Sequence, residues 1–183
     1  MASWIWKALG YGEGDGEGSK DPEELAHEYE DLCAGYDAKT GAKQITAEEV
    51  KKRGLDSFYI IDVRTEEEFD ASSLSSARNL EPSMFLGQFR GFKKGGLGQD
   101  EVPEGKTILC YCTAGLRSGH AAAYLESQLS RPVLNLHGGI IAWVNAGGEL
   151  LSPKTGDASN VIHCYGTTWS KYMTNPGFES LVC

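Results

Sequence analysis

The sequence has no uninterrupted run of about eighteen apolar residues, so no segment reads as a membrane-spanning helix. No targeting signal is expected either. The opening residues, Met1 to Lys7, meet acidic chain too soon to form the apolar core of a signal peptide and lack the Arg- and Ser-rich pattern of a transit peptide. A soluble cytoplasmic protein is the expectation. Positive charge is scarce: 17 Lys and Arg face 26 Asp and Glu, for a formal net charge of -9. Nucleic-acid binding needs clustered bases to neutralise phosphates, so that class is excluded. The acid is also unevenly spread, with ten acids against four bases in residues 1–44 and sixteen against thirteen in residues 45–183. CxxC pairs are lacking, and five cysteines make no even disulfide framework, so reduced thiols fit best. His163, Cys164 and Cys183 match no ligand spacing for a metal, and neither a metal nor an organic cofactor is expected.

What is present divides the chain into four parts. Residues 1–20 form an acidic, glycine-rich segment; its stretch from Gly10 to Lys20 alternates glycine with charge and reads as a flexible linker. Ahead of that linker, Trp4, Ile5, Trp6 and Leu9 make a small apolar patch that docks either on this chain or elsewhere. Residues 21–43 are a helical extension. Asp21-Pro22-Glu23-Glu24 supplies a cap, a first-turn proline and early carboxylates, which predicts a helix to about Leu32 with Leu25, Tyr29 and Leu32 on one face. Residues 44–150 alternate helix and strand. Residues 151–183 lack a clear period and read as a tail that wraps the domain, carrying Tyr165, Trp169, Tyr172 and Phe178.

Within 44–150, Thr46-x-x-Glu49 and Thr65-x-x-Glu68 are capping boxes for short helices. Phe58-Tyr59-Ile60-Ile61, Thr107-Ile108-Leu109-Cys110-Tyr111 and Val133-Leu134-Asn135-Leu136 are apolar runs, as expected of parallel strands covered on both faces. Arg117 to Leu129 reads as an alanine-rich helix, and Gly139 to Ala146 as a short one. Residues 86–100, with Arg90, Lys93 and Lys94, read as a basic loop. The alternation implies an α/β fold in three layers, a mostly parallel sheet with helices on both faces, and ligands beyond the carboxyl ends of the strands. Three such ends are Asp62-Val63-Arg64, Cys112 onward, and His137-Gly138-Gly139.

The segment richest in chemistry is Cys112-Thr113-Ala114-Gly115-Leu116-Arg117-Ser118, between a buried strand and a helix. At a helix N-terminus, unpaired N–H groups and the positive end of the dipole favour a thiolate. The small residues Ala114 and Gly115 allow the loop to curl its amides inward as an anion cradle. A thiol pKa below the free value of about 8.5 is expected at Cys112.

These residues resemble the rhodanese homology domain over about residues 44–150. The landmarks are Ile45-Thr46-Ala47-Glu48-Glu49-Val50, Ile61 to Phe69 (Ile-Asp-Val-Arg-Thr-Glu-Glu-Glu-Phe), the Cys112 loop, and Leu136-His137-Gly138-Gly139-Ile140-Ile141-Ala142-Trp143. The resemblance implies a rhodanese-like fold and a sulfurtransferase that moves sulfane sulfur from thiosulfate or a similar small anionic donor, through a Cys112 persulfide, to cyanide or a thiol. It makes Thr113, Ala114, Gly115, Leu116 and Arg117 the pocket-lining loop, with Ser118 completing the donor site. Arg117 and the basic residues 90, 93 and 94 would hold the anion. It makes Arg64 the partner of a nearby carboxylate, with Asp62 and Arg64 more a brace than a substrate contact, and the glycine pair a packing turn. The acceptor would be a small thiol or a redox protein, and a monomer is expected.

Two alternatives stay open: a phosphatase or arsenate reductase of the same superfamily, or a non-catalytic interaction module. Loop length disfavours the first, because arginine follows the cysteine after four residues where those enzymes resemble a loop with five, and Tyr111 stands where they usually carry His. One stretch departs from the family pattern: Ser72-Ser73-Leu74-Ser75-Ser76-Ala77 replaces the usual Gly-His-Ile-Pro-Gly-Ala, so that turn must be built differently. Cys110 is expected in a sheet face, and His120 and His137 are not expected to act as bases.

Overall fold

The apolar runs at Phe58–Asp62, Thr107–Tyr111 and Val133–Leu136 become neighbouring strands in a computed structural model that describes residues 21–85, 88–164 and 167–181. Expectations for residues 1–20, including the Trp4 patch, and for Tyr165 and Cys183 lie outside the described residues. In chain order, α1 is Pro22–Thr40, β1 Lys43–Ile45, α2 Ala47–Arg53, β2 Phe58–Asp62, α3 Glu66–Ala71 and β3 Arg78–Asn79. They are followed by β4 Pro82–Phe85, β5 Gln88–Phe92, β6 Thr107–Tyr111, α4 Leu116–Leu129, β7 Val133–Leu136 and α5 Gly139–Asn145. The remainder holds β8 Leu150–Leu151, β9 Ala158–Ser159, β10 Val161–His163, α6 Thr167–Ser170 and β11 Glu179–Leu181.

The central sheet runs β1-β7-β6-β2-β3, with every pairing parallel. Because side chains alternate along a strand, β6 sends Ile108 and Cys110 to one face and Leu109 and Tyr111 to the other. The first face packs on Ala121, Ala122, Leu125 and Leu129 of α4, and the second on α2, α5 and α1. This is the three-layer α/β arrangement expected, and it stacks the ends of β2, β6 and β7 along one rim. Both Thr capping boxes are present, at Thr46 and Thr65.

Three local expectations need correction. The first helix continues past Leu32 to Thr40, because Cys33 and Tyr36 extend its packed face beyond Tyr29 until Gly41, at φ 65°, ends it. The basic stretch is not all loop: β4 and β5 form a hairpin, since Phe89 and Phe92 pack on Tyr124 of α4 with ring centroids 5.1 and 6.3 Å away. The tail is partly regular, with β8 pairing β9, β10 pairing β11, and Ile162, Cys164, Trp169 and Tyr172 buried in the core.

The family-divergent serine turn is rebuilt by tail and strand together. Ser73 and Leu151 exchange backbone hydrogen bonds at 2.9 Å each way, Leu74 is fully buried, and Leu74 N–H donates to the Tyr111 hydroxyl at 3.2 Å. Among the described residues no helix is long and apolar enough to cross a membrane.

Candidate active site

Strand β6 ends at Tyr111 and helix α4 begins at Leu116, so Cys112 to Gly115 must turn the chain within four residues. Gly115 makes this possible by adopting φ 98°, a conformation a side chain disfavours. The turn brings the amide of Gly115 to 3.2 Å from Cys112 Sγ, and the Ser118 hydroxyl to 3.3 Å. That hydroxyl also lies 3.2 Å from the Gly115 carbonyl, which competes for its proton. The sulfur therefore faces two donors at the start of a 14-residue helix, where backbone dipoles favour negative charge.

The turn is pinned from behind. Gly139, at φ 55°, lies so close to the Cys112 and Thr113 carbonyls that a Cβ there would collide with them. Ile140 N–H donates to the Cys112 carbonyl at 2.8 Å, and Asn135 donates to the Gly115 carbonyl at 3.1 Å. The glycine pair is thus a packing turn in this structure.

Arg117 is tied to the buried Glu68. Its guanidinium donates to both oxygens of Glu68 at 2.7 Å each and to Thr113 Oγ1 at 2.9 Å, while Thr113 donates to Glu68 at 2.9 Å. Burial alone would raise the Glu68 carboxyl; the charge and hydrogen bonds of Arg117 more than offset it and hold it at about 2. A second buried pair lies beside it. Asp62 accepts from Arg64 Nη2 at 2.6 Å and from the Tyr111 hydroxyl at 2.5 Å, and Arg64 also reaches the Ser72 carbonyl at 2.5 Å. Burial opposes the Arg64 charge, yet Asp62 raises its pKa, while burial and then Asp62 push the Tyr111 hydroxyl well up.

The structure thus brings Gly115 and Ser118 onto the Cys112 sulfur, joins Thr113 to Arg117 and Glu68, and ties Asp62 and Arg64 to Tyr111 at the end of β6. Ala114 and Leu116 of the same stretch are buried. The three basic residues of the hairpin region are engaged elsewhere: Arg90 with Gln88, Lys93 with Glu81 and Lys94 with Glu66. Cys110 is buried against α4, which raises its pKa. His120 is half-buried, and burial followed by Lys39 lowers its pKa.

Glu68, Tyr111 and Asn135 escaped sequence reasoning as site residues. Glu68 reads as a helix cap, which it does make, and nothing in the chain signals that its carboxylate also meets Arg117. Tyr29 and Cys33 were missed as well: Tyr29 Oη donates to the Gly138 carbonyl at 2.6 Å, and Cys33 Sγ lies 3.7 Å from the Ala114 carbonyl. Burial pushes the Cys33 thiol up to about 12. Among the described residues no group of His, Cys, Asp and Glu is arranged to hold a metal ion. A cleft of about 400 Å³ beside Lys51, Trp143 and Leu151 shares none of the loop residues.

A parallel α/β sheet whose rim carries a cysteine turn, closed by a glycine pair from the next strand, defines a class of fold and site. The chain belongs to the rhodanese-like domain family, whose model matches residues 44–146. It is 33% identical over 113 residues to a sulfurtransferase of Allochromatium vinosum, a match covering 61% of this chain and 96% of that protein. It is also 31% identical over 112 residues to a tRNA uridine(34) hydroxylase of Cytophaga hutchinsonii, covering 61% of this chain but only 34% of that enzyme. A thiosulfate sulfurtransferase of Pseudomonas aeruginosa shares the fold, with a TM-score of 0.50 at 20% identity over 72% of this chain and 23% of that one.

Proposed function

We propose that this protein is a sulfurtransferase that carries sulfane sulfur as a persulfide on Cys112. The observation that carries the reading is the pair of donors on Cys112 Sγ, Gly115 N–H and Ser118 O–H, at the start of α4. Donors so placed favour the thiolate and then hold the charged terminal sulfur of a persulfide.

The chemistry is two-step nucleophilic transfer. The Cys112 thiolate attacks the outer sulfur of a donor such as thiosulfate, the sulfur–sulfur bond of the donor breaks, and sulfite leaves with the electron pair. A thiol, or cyanide in the test tube, then attacks the outer sulfur of the persulfide and regenerates the thiolate. Neither step asks for a general base. The superfamily alternative of phosphate-ester hydrolysis fares worse. There the loop arginine must face the substrate, and here Arg117 is committed to Glu68 and Thr113.

Intact mass measurement after donor treatment tests the reading. Wild-type protein should gain the mass of one sulfur atom and lose it to added thiol, while Cys112→Ala should gain nothing. A gain that persists in Cys112→Ala, or phosphate-ester turnover by the pure protein, overturns it.

A further inference from the structure

Strand β7 carries one polar side chain in an apolar run, Asn135, and it is fully buried. Its amide nitrogen donates to two acceptors, the Gly115 carbonyl at 3.1 Å and Gln44 Oε1 at 2.9 Å. The neighbours fix which end of the amide faces them. Gln44 Nε2 donates to the Ala42 carbonyl at 2.9 Å, so the Gln44 oxygen is the end turned toward Asn135, and both atoms that Asn135 meets are acceptors. Only an NH2 group serves both. The opposite end, Oδ1, is then buried without a donor, a cost that a leucine of similar size would not incur. Packing alone does not explain an amide at this position.

The explanation lies one bond further on. Ser118 has a single hydroxyl proton and two acceptors within reach, Cys112 Sγ at 3.3 Å and the Gly115 carbonyl at 3.2 Å. A carbonyl oxygen offers two lone pairs. On Gly115, two N–H donors already account for both: Gly119 N–H at 2.8 Å, the first bond of α4, and the Asn135 NH2 at 3.1 Å. A third donor gains little there. The Cys112 thiolate, in contrast, accepts from Gly115 N–H at 3.2 Å and has room for a second bond, and a hydrogen bond to a charged acceptor is roughly twice as strong as one to a neutral carbonyl.

We propose that Asn135 is a positioning residue for sulfur transfer: by occupying the Gly115 carbonyl it turns the Ser118 proton onto Cys112 Sγ. The proposal rests on the persulfide reading above for its place in the reaction. Asn135 acts through Ser118 and is not itself a catalytic group. Without its NH2, the second lone pair of the Gly115 carbonyl is open, the Ser118 proton divides between carbonyl and sulfur, and the thiolate loses part of its stabilisation.

A double-mutant cycle on the full chain tests this, with two readouts: the pH profile of Cys112 alkylation by iodoacetamide, located by peptide mass, and the rate of Cys112 loading by thiosulfate. Asn135→Leu should slow loading by about three- to tenfold and move the alkylation profile toward higher pH by about half a unit to one unit. Ser118→Ala should move the profile in the same direction. In a Ser118→Ala background Asn135→Leu should add nothing, because the proton it directs is gone. An Asn135→Leu effect that persists undiminished in that background makes Asn135 a packing residue and overturns the proposal. A Ser118→Ala profile that stays in place puts the proton on the carbonyl and overturns it as well, with no Asn135 variant required. Asn135→Ser, too short to reach the Gly115 carbonyl, carries the same expectation should the leucine variant not fold. Alkylation profiles that shift as expected in a wild-type chain that gains no sulfur support the proton's direction and overturn the persulfide reading instead.

Discussion

The Cys112 turn is held between two regions of opposite character. Beneath it lies a buried polar brace, Asp62, Arg64, Glu68 and Tyr111 with Arg117, in which both carboxylates and Arg64 are fully buried and bonded several times over. Above it lies α1, anchored by a tyrosine hydroxyl, a weak thiol contact and a histidine shared by two carboxylates, one of them 67% exposed. The brace belongs to the segment matched by the family model and the cover does not. The difference teaches that shaping the turn from within and packing a helix against it are separate tasks. The first needs buried charge, whose partners cannot be removed singly; the second tolerates solvent-screened contacts.

Glu68→Gln gives the largest expected effect, because it leaves Arg117 without its carboxylate in a nearly closed site. A loss of about 3–5 kcal/mol in urea unfolding is expected. A loss below about 1 kcal/mol, the size of a surface pair, would erase the contrast between brace and cover. Titration sharpens the same point. The Glu68 carboxyl sits below its unfolded value, so its contribution is present above pH 4.5 and disappears as pH falls through about 2. The stability difference between wild type and Glu68→Gln should shrink across that window.

Ser118→Ala removes one of the two donors to the sulfur without touching the brace. It should slow Cys112 loading by about tenfold, the scale of one hydrogen bond to a charged group, with little change in melting temperature. For the cover, Tyr29→Phe removes one hydrogen bond and should lower stability by only about 1 kcal/mol in urea unfolding; a loss as large as that of Glu68→Gln would break the division of tasks. The smallest effect concerns His137. Burial works to lower its pKa, but Glu30 and Asp37 raise it overall, so its stabilisation is full below the unfolded value of 6.5 and fades as pH rises through the raised one. Wild type minus His137→Gln should therefore show a small melting difference at pH 6 that vanishes in mild alkali.

Some of this was legible in the chain and some was not. The capping boxes at Thr46 and Thr65, the apolar strands, and Cys112 at a strand-to-helix turn all depend on neighbours within a few residues, so they could be read directly. The continuation of α1 beyond Leu32 was hidden because Cys33 and Tyr36 gain their burial from residues about a hundred positions away, at Gly138 and in the tail. The hairpin at β4 and β5 was masked by glycine and charge around Phe89 and Phe92, whose packing partner Tyr124 lies in another element.

By itself the sequence determined the fold family, the three apolar strands at the centre of the sheet, and the one turn where a cysteine meets a helix start. Only the tertiary structure decided that Arg117 pairs with Glu68, that Tyr111 bonds Asp62 beside Arg64, and that α1 packs on the Ala114 and Gly138 carbonyls. The physical reason is range. Propensity, capping and hydrophobic period act within a few residues, whereas the pairing of buried charges depends on which distant groups share a dry interior.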